Sequence, residues 1–317
     1  MKRISIVFLL FAIFSSCGKD EVKNWQKYEL PDKFSNSHIL SIDVKGDSML
    51  IGTFGEGAIF SRNNGAGWTS FDTSNGLSWN FILGGDWDDS YIILATLGDG
   101  LNITNDNGKT WERFGYNFFG IEYLYTVGAK VAKGKKYVPS ADGLVVFDDI
   151  QDWKGLDESR GIGSQYIYDM KIDNKTIALG TLHGFSISRD SGENWTNISP
   201  NGKYTSERVP ACKVRAVEFN KKTFFAGCDD GLFISSDEGK SWELFGEDYL
   251  KSDYIRDLFI DSDLNLWIAT YNEVASYNIN DKVWNVYNTE NGLPPGGANC
   301  VAAIDAGEIF AGTNNGL

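Results

Sequence analysis

SSDEGKSW, residues Ser235 to Trp242, is polar until its last position and turns on a glycine. Nearly the same octet occurs at 61–68 (SRNNGAGW), 104–111 (TNDNGKTW) and 188–195 (SRDSGENW). Such a repeat is either one site copied or one structural part copied, and the chemistry of the octet favours the part. Its third residue (Asn63, Asp106, Asp190, Asp237) can accept hydrogen bonds from backbone N–H groups two or three residues on, and its leading Ser or Thr does the same more weakly. Its glycine (Gly65, Gly108, Gly192, Gly239) can take the positive φ of a tight hairpin. Its indole (Trp68, Trp111, Trp195, Trp242) is then free to pack, burying on the order of 200 Å². Every residue is used in making and anchoring a turn.

The tryptophans extend the pattern beyond the four octets. Trp25, Trp68, Trp111, Trp153, Trp195, Trp242 and Trp284 follow one another at intervals of 42 or 43 residues, with one interval of 47. The long interval contains SPNGKYTSERVPAC (199–212), which reads as a loop insertion. Each interval also carries an apolar run (ILSIDV, YIYDMKI, YIRDLFI), and then a second run ending near Gly-Thr (LIGT, ILAT, ALGT, WIAT, FAGT). A third run precedes the octet and a fourth follows its Trp. Four short strands in about 43 residues make one blade of a β-propeller. Many runs, such as SYIILAT (90–96), are apolar on both faces, as expected where each sheet is sandwiched between two others. No helical periodicity is sustained over ten residues. The 35 Gly against 6 Pro, with 14% aromatic residues, suit such a turn-rich all-β chain.

The octet resembles the Asp-box, or bacterial neuraminidase repeat, S-x-D-x-G-x-x-W, found on the third-to-fourth-strand turns of sialidases, xyloglucanases and photosystem II assembly factors. DDIQDW (148–153) and NINDKVW (278–284) replace it in two repeats. DLFIDSDLNLWIAT (257–270) and NTENGLPPGGANCVAAIDAGEIFAGTNNGL (288–317) resemble the propeller repeats of two-component-regulator sensor domains. The expectation is a single seven-bladed β-propeller of four-stranded antiparallel blades over residues 24–317. Blades are placed at 37–71, 79–114, 121–154, 165–198, 211–245 and 254–287. A seventh starts at Asn299, with NWQKYELP (24–31) closing it as its outer strand. That last blade is expected to be incomplete, because the sequence stops after NNGL, inside the repeat.

Lys2 and Arg3 precede ISIVFLLFAIF (4–14), which is about half the length of a membrane span and fits an export signal. Ser15 and Ser16 directly before Cys17 resemble a bacterial lipoprotein signal, which implies acylation of Cys17. GKDE (18–21) resembles the tag that sends some lipoproteins to the outer face of the outer membrane. The resemblance implies a signal peptide at 1–16, a tether at 17–23 and membrane attachment only through an N-terminal lipid. Export permits disulfides. Cys212 and Cys228 flank a hairpin turning near Asn220, so a cross-strand bridge and two buried thiols are both open. Cys300 has no obvious partner, and no zinc-type spacing occurs.

A net charge of −14 repels phosphate backbones and argues against nucleic acid. In propellers the fourth-to-first and second-to-third connections share one face, where family resemblance puts ligands. That face is expected to carry His38, Phe54, Glu56, Asp99, Tyr123, Tyr166, His183, Asp229, Arg256, Tyr271 and Glu273, with Asn80, Asp142, Arg215, Asp230 and Asn299 nearby. Aromatic rings beside carboxylates suit sugars. The arginine cluster of a sialidase is absent: Arg62 and Arg189 fall inside octets and Arg113 directly behind one. The leading expectation is a non-catalytic, monomeric binding protein for a glycan or a surface protein, with no cofactor and no metal. The alternatives are a sialidase-like or xyloglucanase-like glycoside hydrolase, using two carboxylates on the ring face, and a sensory or assembly scaffold.

Overall fold

The computed structural model describes residues 25–115, 126–149, 152–199, 212–304 and 308–314. Cys17, the signal and tether segments, Tyr123 and most of the 199–212 insertion therefore lie outside the described residues. Six sheets of four antiparallel strands, each in simple sequential order, follow one another along the chain. They run from Ile39–Lys45 to Thr69–Phe71, Ile82–Trp87 to Glu112–Phe114, Lys130–Ala132 to Trp153–Leu156, Ile167–Asp173 to Thr196–Ile198, Val214–Asn220 to Glu243–Phe245, and Ile255–Ile260 to Trp284–Tyr287. A two-stranded sheet, Cys300–Ala303 with Ile309–Gly312, stands between the sixth blade and the first.

The expected seven blades are corrected to six. The seventh unit has two strands, and NWQKYELP forms no strand within its described residues. The physical reason is local: a fourth strand needs a third to pair with, and none follows Ile309–Gly312 among the described residues. The segment docks through side chains instead. Trp25 is buried edge-on against Tyr287, and its N–H donates to the Asn291 carbonyl at 2.9 Å. The Tyr28 ring meets Phe310 edge-on, and its hydroxyl donates to the Asn64 carbonyl at 3.1 Å.

Packing between sheets holds the ring together. Second strands such as Ile92–Thr96 are buried at every position, so both faces of a sheet contribute to the core. An apolar cluster occupies each junction around the ring, including both flanks of the two-stranded sheet. The octet tryptophans sit at the outer ends of these junctions. Trp111 lies 5.2 Å from Phe71 of the preceding blade, and Trp242 lies 5.1 Å from Phe185 of its own preceding blade. They are half-buried rather than fully enclosed.

The octets themselves are closed hydrogen-bond systems. In 104–111 the Thr104 hydroxyl donates to Asp106 and accepts from Gly108 N–H at 2.9 Å, while Asp106 also accepts from Lys109 and Thr110. The same bonds recur around Asp190 and Asp237, and Asn63 substitutes as an acceptor for Gly67 N–H. Hydrogen bonds from Thr110, Asn194 and Ser241 hold the three carboxyls down at about 2.

The glycine has a further task. Gly108 has φ +82°, and a Cβ there would lie 2.2 Å from Phe71 of the preceding blade. Gly65 faces Tyr28 in the same way, so the N-terminal segment fills by packing the place that fourth strands fill elsewhere. Gly108→Ala is therefore expected to lower unfolding free energy by about 2 kcal/mol or more. Gly67→Ala, at ordinary φ and with nothing nearer than 3.4 Å, should change it by under about 0.5 kcal/mol. Urea unfolding of the two variants checks this.

Cys212 and Cys228, 16 positions apart in sequence, are joined in a disulfide across the start of blade five. Cys300 is a buried free thiol. Replacing both bridged cysteines with serine should cost about 2–3 kcal/mol, read by the same unfolding experiment with and without reductant.

Candidate functional site

The first strands of the sheets line the central channel, and five of them share one irregularity. In each, two residues oppose one on the second strand, which places one extra residue at Leu40, Leu83, Tyr168, Arg215 and Arg256. Such a bulge re-aims a side chain. All five line one cavity of about 980 Å³ at the channel mouth. His38, Tyr254, Tyr271, Ser252, Asn299 and Asn314 complete its wall.

Two guanidiniums dominate the mouth, and their surroundings differ. Arg215 forms an ion pair with both oxygens of Asp229 and lies between Tyr168 at 5.2 Å and Tyr254 at 4.8 Å. Burial works against its charge, but the Asp229 hydrogen bond raises its proton affinity overall. Arg256 lies 4.8 Å from the Tyr271 ring. Its Nη1 donates to Asn299 Oδ1 at 2.7 Å and to the Gly296 and Ala298 carbonyls at 3.4 Å. No carboxylate pairs with it among the described residues, and burial lowers its proton affinity. His38 packs 5.5 Å from Phe54, and burial together with the Arg256 charge pushes its imidazole below the usual value.

Of the residues expected on this face, His38, Arg256 and Tyr271 line the cavity, as do Arg215 and Asn299. Phe54 stands at the rim against His38 and Phe81. Asp229 is committed to Arg215. Glu56 N–H donates to Thr53 and His183 N–H to Thr181, so their backbones are turn parts; Asp99 is exposed in a turn, and none of the three lines the mouth. Tyr166 is exposed outside it. Glu273 is buried and accepts from Lys251 N–H at 2.6 Å. Sequence reasoning missed Leu40, Leu83, Tyr168 and Tyr254. For Tyr168 the available signal was its place directly before a strand acid, as at Arg256-Asp257; Leu40, Leu83 and Tyr254 carry no such signal.

Below the mouth the channel holds five carboxylates, Asp43, Asp86, Asp169, Glu218 and Asp257. Each reaches across to a backbone N–H of the next unit. Asp43 takes Gly85, Asp86 takes Val131, Asp169 takes Val217, Glu218 takes Ile260 and Asp257 takes Val301. Three lysines accompany them: Lys130 on Asp43 at 2.5 Å, Lys45 on Asp86 at 2.5 Å and Lys171 on Glu218 at 2.6 Å. Asp169 and Asp257 have no lysine at ion-pair distance among the described residues. Burial, opposed by the Val217 and Met170 N–H groups, pushes Asp169 up to about 6. Burial and the nearby Asp169 push Asp257 up to about 8, although its side chain keeps contact with the channel space.

An acid raised in the folded state stabilises fully below its unfolded value near 3.8, and that contribution is lost as pH rises through the folded value. Melting temperature should therefore fall between pH 6.5 and 8, and Asp257→Asn should flatten the fall. Parallel slopes for the two proteins would show Asp257 ionising as an ordinary carboxylate.

With this geometry established, comparison with known proteins gives a clear answer about architecture. The protein is a β-propeller. The extracellular domain of a hybrid two-component system from B. thetaiotaomicron superposes with a TM-score of 0.72 at 19% identity over 89% of this chain and 38% of that one. An ancestral glycoside hydrolase family 74 enzyme gives 0.64 at 15% identity, over 88% of this chain and 44% of the enzyme. YCF48 from Cyanidioschyzon merolae gives 0.62 at 14% identity, over 92% and 97%. The propeller thus spans about two fifths of the sensor and hydrolase chains it resembles. At these identities the likeness is one of fold. No family description matches the sequence, and no curated protein matches it.

Proposed function

We propose that the chain is a non-catalytic binding propeller that takes a glycan at the channel mouth. In this reading it is exported, acylated at Cys17 and displayed on the outer membrane. The observation that carries the reading is the cavity of about 980 Å³ with Tyr168, Tyr254 and Tyr271 on its wall and no carboxylate among its described lining residues. Tyr271 is 54% exposed and Tyr254 38% exposed, leaving flat faces open to a sugar ring. The Asn314 amide N–H and the Ser252 hydroxyl offer hydrogen bonds beside them, while Asn299 is committed to Arg256, Ile39 and Asn314. An inverting hydrolase needs two carboxylates about 6.5–9.5 Å apart across its substrate. Asp229, an acid beside the mouth, is neutralised by Arg215 and approached by Lys213 at 3.9 Å, which weighs against its acting in hydrolysis.

A glycan array with product analysis tests the reading. Binding without cleavage is the expected result, and Tyr271→Ala should weaken it by about ten-fold, ~1.4 kcal/mol. Cleavage that survives purification would replace the reading with the hydrolase. A protein captured while every glycan stays silent would replace it with the scaffold.

A further inference from the structure

The charge on the cavity wall runs against the charge of the molecule. The chain carries −14 overall, yet its mouth presents two guanidiniums and no carboxylate among the described lining residues. Arg215 is already satisfied by Asp229. Among the described residues Arg256 is held by neutral oxygens only, two of them at 3.4 Å. Taking a charge partly out of water without a counter-ion is costly. The fork of a guanidinium also matches the two oxygens of a carboxylate or sulfate.

We infer that the mouth recognises a saccharide ending in an anionic residue, a uronate or a sulfated sugar, with Arg256 gripping the anionic group and Tyr271 stacking beside it. This rests on the glycan-binding reading and specifies its ligand. Arg256 lies over one face of the Tyr271 ring at 4.8 Å while the ring stays 54% exposed, so a charge and accessible aromatic surface stand together at the mouth. The same pair suits a sugar, which offers an apolar C–H face next to its acid. The channel floor does not draw an anion deeper: Asp43, Asp169 and Asp257 share a pocket with Arg256, and the lysine there, Lys130, is already paired with Asp43. The acidic exterior likewise disfavours a long polyanion, so the anionic group belongs at a chain end.

Titration calorimetry of the full-length chain in low salt tests this with four probes: tetragalacturonate, its methyl ester, a κ-carrageenan tetrasaccharide carrying sulfate without carboxylate, and an acidic tetrapeptide. The expected result is that tetragalacturonate, the sulfated sugar or both bind at least ten-fold tighter than the ester. Which of the two responds identifies the anion. Arg256→Gln should erase the preference, and 0.5 M NaCl should reduce it. Tyr271→Ala should weaken acid and ester alike. The acid–ester comparison uses the unaltered protein, so it stands even if Arg256→Gln folds poorly. Equal binding of acid and ester overturns the inference while leaving glycan binding intact. A preference that survives Arg256→Gln overturns the role of Arg256. Binding of the peptide alone, or silence from every saccharide, overturns both this inference and the glycan reading.

Discussion

A ring of sheets has a difficulty at its centre. The first strand of each sheet is an edge, and its outward N–H groups face the channel with no neighbouring strand to receive them. This protein meets that difficulty with carboxylates. Asp43, Asp86, Asp169, Glu218 and Asp257 each reach from one first strand to an N–H of the next. Asp86, Asp169, Glu218 and Asp257 also accept from the residue that follows them. One side chain thus satisfies an edge and ties two units together. The arrangement concentrates negative charge, which the three channel lysines offset only in part. Burial first, and this remaining imbalance after it, raise the proton affinity of Asp169 and Asp257.

The architecture was legible because the repeated unit is local. A Ser or Thr, an acceptor two residues on, a glycine and an indole define a turn without help from distant residues, and the tryptophan spacing counts the turns. The number of complete blades was less legible. It depends on whether residues far apart in sequence pair, and the N-terminal segment could be read as a strand because Trp25 belongs to the tryptophan series that opens fourth strands elsewhere. The side chains of Trp25, Tyr28 and Leu30 do reach the core. The backbone finds no ladder, since the strand it would extend is missing among the described residues.

The site was half legible for a related reason. Topology alone put His38, Arg256 and Tyr271 on the face that carries the cavity. Turn residues such as Glu56 and Asp99 share that face but not the cavity, because their positions are set by the tight turns that carry them. Tyr168 and Leu83 looked like ordinary strand residues, and only a register shift of one position makes them wall residues. A bulge leaves little trace in composition, since the extra residue has no common type: it is a leucine twice, a tyrosine once and an arginine twice. The cavity is therefore a product of backbone irregularity repeated around an axis.

The join between the last sheet and the first blade differs from every other junction. On the channel side it is laced by the Ile39 N–H to Thr313 and by the Asn299 amide to Ile39. On the outside it is covered by Tyr28, which packs on Phe310 and donates to the Asn64 carbonyl. A closed circle resists deformation about equally along its circumference, whereas a circle fastened this way has a clasp. Thermal breathing would begin there, and because Asn299 also braces Arg256, the looseness of the clasp would be felt at the guanidinium.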